Sequence, residues 1–287
     1  MSTTSLHGCI HGVSCRAICS SDTRCVFMKK QLNLFFLALG FFSRIPMPAW
    51  VEYSPELLNR SSRYYTLVGW FLGALVAAVF LTASYIFSTN VSIWLAMVFS
   101  LLLTGVFHED GLADTADGFG GAFAREKKLQ IMKDSRIGSY GAAALIMALL
   151  GKYLLLAEST HIALALLVAY ALSRTLAASL IFTMPYVADD DSSKSKPLAN
   201  NQSKTDFFIL IITAAPIFFV LQWQAALALG LGLLVLRQLL QGYFLKQIGG
   251  YTGDCLGAAQ QIAELSIYAL LLIIAGTMPN YLQGVLL

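Results

Sequence analysis

The sequence predicts an all-α protein, a polytopic bundle of transmembrane helices with about seven spans and a short interfacial or re-entrant helix near the N-terminus. Of the 287 residues, 57% are hydrophobic and only 12% are charged, whereas a soluble domain has about 25% charged residues. The apolar residues form stretches close to the roughly 20 residues that a membrane-spanning helix needs. The basic residues gather in alternate connections, and a net charge of +3 is too small to indicate nucleic-acid binding.

Residues 1–27 are predicted to be an unstructured N-terminal extension, followed by a single transmembrane domain over residues 28–287. Met28-Lys29-Lys30 resembles a natural start, because basic residues stand directly before an apolar segment. Four of the five cysteines lie in the extension, but their spacing matches no common zinc motif. The extension has no continuous apolar run and is therefore a poor signal peptide.

Seven apolar stretches approach the length of a membrane span. They are 64–87, 91–107, 138–157, 161–184, 207–222, 224–242 and 264–279. The apolar stretch Leu32–Ser43 is shorter than a span and is bracketed by basic residues. A stretch of that kind favours a helix that lies in the membrane interface or re-enters.

The positions of Lys and Arg predict the orientation of the spans. These residues gather in the connections 44–63, 108–137, 185–206 and 243–263, whereas the opposite connections and the C-terminal tail hold none. By the positive-inside rule the charged connections are cytoplasmic, so the N-terminus lies inside and the C-terminus outside. We therefore expect an active site that faces the cytoplasm. Within one of these connections, the polar composition of Asp189–Lys204 predicts a mobile loop.

The segment His108–Gly121 carries the strongest signal for chemistry. Four of the 16 acidic residues fall between Glu109 and Asp117. On a helix Asp110, Asp114 and Asp117 lie within about 60° of one another on one face. Three carboxylates on one face repel each other beside a low-dielectric membrane, and hard carboxylate oxygens suit Mg²⁺ or Mn²⁺, which proteins commonly share with substrate phosphates. The segment therefore predicts a metal-bound phosphate site, with a solvated acidic helix face as the alternative.

Residues from two other segments complete this predicted site. Asp134 and Arg136 stand at the mouth of the third span, where a cation beside a metal site would balance the charge of a phosphate or diphosphate. The glycine-rich segment Gly249–Ala258 allows close backbone approach to a ligand, and Asp254 within it is expected to face the same cytoplasmic end. We expect Glu264 at that end too.

Two further polar residues are placed by the predicted spans. Arg174 lies in the interior of the fourth span, so it must pair with an acid or an anionic ligand inside the bundle. His108 adjoins the acidic residues and is a candidate metal ligand or base, with an interfacial histidine bonded to the backbone as an equal alternative.

Four blocks of the sequence occur together in one known family. The longest runs from His108 to Gly141 and opens with the specific string His-Glu-Asp-Gly-Leu-Ala-Asp-Thr-Ala-Asp-Gly. The shorter blocks are Phe41–Pro48, Tyr65–Gly69 and Gly249–Ala258. In these blocks the chain resembles the cobalamin synthase family, whose members are adenosylcobinamide-GDP ribazoletransferases. The resemblance covers about residues 30–285.

The resemblance implies the last assembly step of the cobalamin nucleotide loop. Adenosylcobinamide-GDP reacts with α-ribazole, or with its 5′-phosphate, to give adenosylcobalamin or its 5′-phosphate, and GMP is released. It also implies a multi-pass enzyme of the bacterial inner membrane that uses Mg²⁺. An association with other cobalamin-assembly enzymes is a further expectation.

This chemistry assigns hypothetical roles to individual residues. The predicted catalytic residues are Glu109, Asp110, Asp114 and Asp117, of which Glu109 or Asp117 is the candidate general base. Asp110, Asp114 and Asp117 are the predicted ligands of Mg²⁺, and Asp254 completes the metal site from the opposite side of the bundle. The candidate phosphate contacts are Arg44, Arg136 and Arg174. Asp134 is grouped with them as a candidate cofactor-binding residue.

Three other functions compete with this interpretation. A CDP-alcohol phosphotransferase has Ala-Arg after Asp-Gly-x-x, whereas Ala113-Asp114 follows Leu112 here. An intramembrane prenyltransferase also uses aspartates and Mg²⁺, but typically in two Asp-rich loops of more even weight. A cation-coupled transporter could use membrane-embedded acids, usually with broken helices in two related halves. No internal repeat is evident in the sequence.

Overall fold

The computed structural model describes residues 14–187, 201–278 and 280–282, and these residues form twelve α-helices. Within those ranges the only β-type pairings are two isolated bridges, so the all-α prediction is confirmed. The helices are α1 (Ser14–Phe42), α2 (Pro55–Ser61), α3 (Tyr65–Ser84), α4 (Thr89–Thr104), α5 (Phe107–Gly121), α6 (Arg125–Met132), α7 (Ser139–Ala157), α8 (Ile162–Ile181), α9 (Lys204–Ile212), α10 (Ile217–Val220), α11 (Trp223–Ile248) and α12 (Gly253–Thr277).

Five helices in the described part of the chain are long and apolar enough to cross a membrane, which confirms a polytopic bundle. Four of them are α7, α8, α11 and α12, and the fifth is the continuous segment Pro55–Ser84 that contains α2 and α3. Helices α4 and α5 meet at an angle of 85° and add a sixth span if the bent pair counts as one. The structure therefore holds five to six such spans in place of about seven.

The stretch 207–222 does not form the single helix that its composition predicts. It is divided between α9 and α10. Proline clashes with the carbonyl four residues earlier, and α9 ends at Ile212, four residues before Pro216. The divided stretch still runs along the bundle, because Asp206 bonds to Arg63 near the start of α3 and the Gln222 N–H donates to Tyr281 O beyond α12.

The last span begins earlier than predicted. The sequence suggests a connection over 243–263 and a span over 264–279, but α12 is continuous from Gly253 to Thr277. Gly249, with φ 75°, ends α11 in the left-handed conformation that glycine adopts without a steric penalty. The Thr252 side chain then accepts a hydrogen bond from the Cys255 N–H and caps α12.

The N-terminal region also differs from the prediction. Residues 14–27 are helical and continue into Leu32–Ser43 as one helix, α1, so the predicted unstructured extension is wrong for this part. The reason is that no proline or glycine breaks the chain between Ser14 and Gly40. Residues 1–13 and most of the polar loop Asp189–Lys204 lie outside the described residues.

Helix α8 lies at the centre of the bundle, and almost all of its residues are buried. It packs closely against α3, because Gly69 and Gly73 of α3 lie against the backbone of α8 around Tyr170. On another side it packs against α12. The end of the bundle that carries α5, α6 and the first turns of α7 and α12 is called the charged end below.

Candidate active site

A sharp turn sets the direction of the acidic helix α5. Gly105 and Val106 follow α4 with φ of 67° and 63°, both in the left-handed region. That region is unusual for a β-branched residue such as valine and marks a strained backbone. The Arg44 N–H donates to Leu103 O at 2.8 Å, and a Cβ added at Gly105 would meet the Arg44 guanidinium. The exposed Arg44 side chain therefore lies over the turn that leads into α5.

Three carboxylates lie near one another where α5 crosses the start of α12. Gly111 packs against the backbone of Asp254 and Gly257, so the two helices approach closely. The negative charges of Asp254 and Asp110 act on the Asp114 carboxylate, and Asp110 also acts on Asp254. Asp110 is exposed, and Asp114 and Asp254 are partly buried. The structure thus brings Asp254 beside Asp110 and Asp114, as the sequence analysis expected.

Asp117 faces a different neighbour. Its Oδ2 accepts a hydrogen bond from the Gly138 N–H at 2.7 Å, and its Oδ1 accepts one from the Gly141 N–H at 2.8 Å. Asp117 therefore satisfies two free N–H groups at the start of α7, where a carboxylate also interacts favourably with the helix dipole. Its predicted role as a metal ligand or base stays a prediction, and in this structure its carboxylate joins α5 to α7.

The carboxylates at the charged end suit a Mg²⁺ ion that is bound together with a substrate phosphate. Among the described residues no group of three or more His, Cys, Asp or Glu side chains is arranged to hold a metal ion. Mg²⁺ usually keeps several waters and binds through one or two carboxylates together with substrate phosphates. Asp110, Asp114 and Asp254 supply hard oxygen donors and an excess of negative charge, so they suit a cation shared with a substrate and not a closed protein cage.

Arg136, a predicted phosphate contact, pairs with Asp134, a predicted cofactor-binding residue. Arg136 Nη2 lies 2.7 Å from Asp134 Oδ2, and both side chains are exposed in the turn before Gly138. Hydrogen bonds from Arg136 lower the pKa of the Asp134 carboxyl below its ordinary value, and the same pair raises the pKa of Arg136. A phosphate that bound Arg136 would have to compete with Asp134.

Arg174 and His108 line a small cavity with aromatic walls inside the bundle. The Arg174 guanidinium lies over the rings of Tyr170 and Phe42, at 4.9 and 5.6 Å from their centroids, and the His108 ring stacks on Phe42. The cavity between them has a volume of about 20 Å³, which is enough space for one water molecule. The carboxylates that act on Arg174 most strongly are those of Glu264 and Glu109. Arg174 is buried, so a phosphate that contacted it would have to enter the interior of the bundle.

Glu109 is buried between α5 and α12. Its Oε1 accepts a hydrogen bond from Gln261 Nε2 at 3.0 Å. Its Oε2 is buried and has no hydrogen-bond partner among the residues that the structure describes. Of the two candidates for the general base, Glu109 therefore has the oxygen that is free to accept a further hydrogen bond.

Two placements in the bundle interior differ from what the sequence suggested. Glu264 lies ten residues beyond Asp254 on a continuous helix, which puts it about 15 Å further along the helix axis than the charged end. It pairs there with Lys152 of α7, at 2.8 Å between Nζ and Oε1. Lys152 is not among the residues predicted from the sequence. The sequence did contain a sign of its importance, since Lys152 is a lysine inside a 20-residue apolar stretch. Ionisable residues within a span are functional candidates by default.

The comparison with known families matches the cobalamin-5-phosphate synthase model over residues 34–272. The chain belongs to the cobalamin-5-phosphate synthase family. The match includes α5, α7 and α8 and most of α12, so every helix that contributes to the candidate site lies within it.

Relatives in this family are similar over nearly their whole length. An adenosylcobinamide-GDP ribazoletransferase from Vibrio cholerae serotype O1 is 54% identical over 248 residues, which are 85% of this chain and 95% of that protein. One from Shewanella piezotolerans is 54% identical over 254 residues, 87% of this chain and 98% of that protein. One from Shewanella oneidensis is 53% identical over 252 residues, 86% and 96% of the two chains. No solved structure matches the chain.

Proposed function

We propose that this protein is an adenosylcobinamide-GDP ribazoletransferase that acts on a cytoplasmic substrate with the help of Mg²⁺. The observation that carries the proposal is the close crossing of α12 and α5 at Gly111, which puts Asp254 within range of the charges of Asp110 and Asp114. Relatives that are 54% identical to this chain have the name of that enzyme. Three carboxylates from two helices at one end of a bundle form a site for a cation and a diphosphate.

In the proposed reaction a ribose hydroxyl of α-ribazole, or of its 5′-phosphate, attacks the phosphorus that bears the corrinoid. A new P–O bond forms to the ribose, the P–O bond to GMP breaks, and the hydroxyl proton leaves with a base. Such a transfer depends on positioning and charge neutralisation more than on covalent catalysis. The product is adenosylcobalamin or its 5′-phosphate.

Residues of the chain supply the positioning. Asp110, Asp114 and Asp254 would hold Mg²⁺, which when bound neutralises charge on the diphosphate. Arg44 is exposed over the turn before α5 and carries no ion pair in the described structure, so it supports an assignment as a phosphate contact. Glu109 is the proposed acceptor of the ribose hydroxyl through its free Oε2. Asp117 holds α7 against α5 and so fixes the mouth of the site.

The proposed location is the bacterial inner membrane, with the charged end in the cytoplasm. The distribution of Lys and Arg supports this orientation. Asp254 in α12, Asp117 in α5 and Gly138 before α7 lie at that end. A substrate made in the cytoplasm would then reach the carboxylates without crossing the membrane.

The test uses the purified chain in detergent with adenosylcobinamide-GDP, α-ribazole and Mg²⁺. We expect equimolar GMP and adenosylcobalamin, and loss of both when a chelator removes Mg²⁺. If adenosylcobalamin also forms in the presence of the chelator, the transferase activity stands and the proposed requirement for Mg²⁺ is rejected. If no GMP is released with or without Mg²⁺, the proposed enzyme activity is rejected and a cation-coupled transporter becomes the favoured function.

A further inference from the structure

A row of buried polar side chains connects α7 through α12 to Glu109 on α5. Lys152 Nζ lies 2.8 Å from Glu264 Oε1. Gln260 Nε2 donates to Glu264 Oε2 at 2.8 Å, and Gln261 Nε2 donates to Gln260 Oε1 at 2.9 Å. The same nitrogen of Gln261 donates to Glu109 Oε1 at 3.0 Å. These five side chains are called the α12 polar row below.

Each bond in the α12 polar row has a fixed direction. A lysine ammonium only donates, and an ionised carboxylate only accepts. The amide nitrogen of Gln260 faces Glu264 and also Ser173 Oγ, at 3.0 Å, so its oxygen must face Gln261. Gln261 consequently directs its nitrogen at Glu109. The row therefore presents a donor to Oε1 of Glu109 in a single orientation.

A contribution to stability alone does not explain a buried ion pair inside the bundle. Lys152 and Glu264 are 4% and 1% exposed, and Tyr268 Oη donates a further hydrogen bond to Glu264 Oε1 at 2.9 Å. Replacement of a buried ion pair by apolar residues of similar volume is often neutral or stabilising. Ionisable residues inside a membrane are costly and mark functional positions.

The α12 polar row ends at an oxygen that lacks a partner. Glu109 Oε2 is buried and has no hydrogen-bond partner in the described part of the chain. A buried carboxylate oxygen in this state is destabilising until a donor reaches it. Glu109 directly precedes Asp110, so Oε2 lies in the first turn of the helix that carries the acidic cluster.

We propose that Lys152, Glu264 and Gln261 are positioning residues that hold Glu109 so that Oε2 accepts the hydrogen bond of the ribose hydroxyl. This inference rests on the proposed transferase function. The three residues do not touch the substrate and act only through Glu109. Their removal should lower the rate of transfer and leave the binding of adenosylcobinamide-GDP unchanged, because the phosphate site at the charged end keeps its groups.

The first experiment replaces the ion pair as a unit, with Lys152→Met and Glu264→Met in one chain. We expect kcat to fall by about tenfold or more, with the KM for adenosylcobinamide-GDP within about twofold of wild type. Thermal unfolding in detergent should show that the variant stays as stable as wild type. The matched control is Arg63→Met with Asp206→Asn, which removes the other buried ion pair in the described structure and should keep wild-type kcat.

A double-mutant cycle tests whether Gln261 acts through Glu109. We expect Gln261→Met to lower kcat about tenfold in the wild-type chain and less than about twofold when Glu109 is already glutamine. Equal losses in both backgrounds would show a general structural role and overturn the proposal, as would wild-type kcat in the Lys152→Met, Glu264→Met variant. If that variant does not fold, the cycle alone decides. A wild-type chain that releases no GMP would reject the proposed function itself, which is a distinct result.

Discussion

Asp114 and Asp117 lie on the same helix face but have different surroundings. Asp114 is partly exposed beside the negative charges of Asp254, Asp110 and Asp117. Asp117 is buried and accepts two backbone hydrogen bonds from the start of α7. Replacement of each should therefore affect a different property of the protein.

Asp117→Ala is expected to lower the free energy of unfolding by about 2 kcal/mol. The change leaves the N–H groups of Gly138 and Gly141 without their acceptor, and the loss of a helix cap or of a charged hydrogen bond costs this much. Thermal or denaturant unfolding in detergent measures it. Asp117→Asn keeps one carbonyl acceptor and should recover part of the loss, and an unchanged stability of Asp117→Ala would contradict the capping role.

Asp114→Asn is expected to abolish most transferase activity and to leave stability unchanged or slightly raised. The substitution removes a carboxylate that would hold Mg²⁺, and loss of one preorganised electrostatic group costs roughly 100-fold in rate. It also removes the repulsion from the neighbouring carboxylates. GMP release and thermal unfolding measured on the same preparation check both parts. A large loss of stability with retained activity would reverse the roles of Asp114 and Asp117.

For single residues, the sequence predicts which side chains belong to the candidate site but does not predict the partners that they bind. Helical periodicity places Asp110, Asp114 and Asp117 on one face, and the structure places all three along α5. The partner of Asp117 lies 21 residues away at the start of another helix, and periodicity carries no information about such contacts. The same reason hides the pair of Lys152 and Glu264.

At the scale of helices, the crossing of α5 and α12 assembles the acidic cluster. A Cβ at Gly111 would lie 2.9 Å from Asp254 O and 3.1 Å from the Cα atoms of Asp254 and Gly257. These are backbone atoms, which cannot move aside as the end of a side chain can. The close approach of Asp254 to Asp110 and Asp114 therefore depends on glycine at position 111.

Gly111→Ala is expected to lower transferase activity about tenfold and to reduce stability by about 1–3 kcal/mol. Overpacking of a close contact costs this much, and separation of the helices moves Asp254 away from α5. The control is Gly242→Ala in α11, where a Cβ would have no heavy atom within 4 Å and alanine favours the helix by about 1 kcal/mol. Wild-type activity in Gly111→Ala would show that the crossing does not set the site.

The sequence predicts most helices but not their breaks. Hydropathy identifies α3, α4, α7 and α8 within three residues of their bounds, because long apolar stretches report directly on burial in a membrane. The 85° turn at Gly105 and Val106 has no counterpart in the hydropathy pattern. The early start of α12 follows from the Thr252 cap, a local signal that hydropathy does not report. The break in the stretch 207–222 could have been predicted from Pro216, because proline interrupts a helix.

At the scale of the whole molecule, charge is divided between two levels of the bundle. Asp110, Asp114 and Asp254 lie at the charged end. The exposed Arg44 side chain lies over the turn before α5, and Arg136 is exposed in the turn before α7. The α12 polar row lies deeper, and Glu109 joins the two levels because it directly precedes Asp110. The apolar outer faces of α7 and α11 fit contact with lipid.

We propose that α5 and α12 together form one cation-dependent phosphoryl-transfer site. The most direct measurement is the rate of GMP release as a function of Mg²⁺ concentration for wild type and Asp254→Asn. We predict that Asp254→Asn raises the Mg²⁺ concentration for half-maximal rate by about tenfold, equivalent to about 1.4 kcal/mol of lost cation binding, and that high Mg²⁺ restores much of the rate. An unchanged Mg²⁺ dependence in Asp254→Asn would contradict the claim.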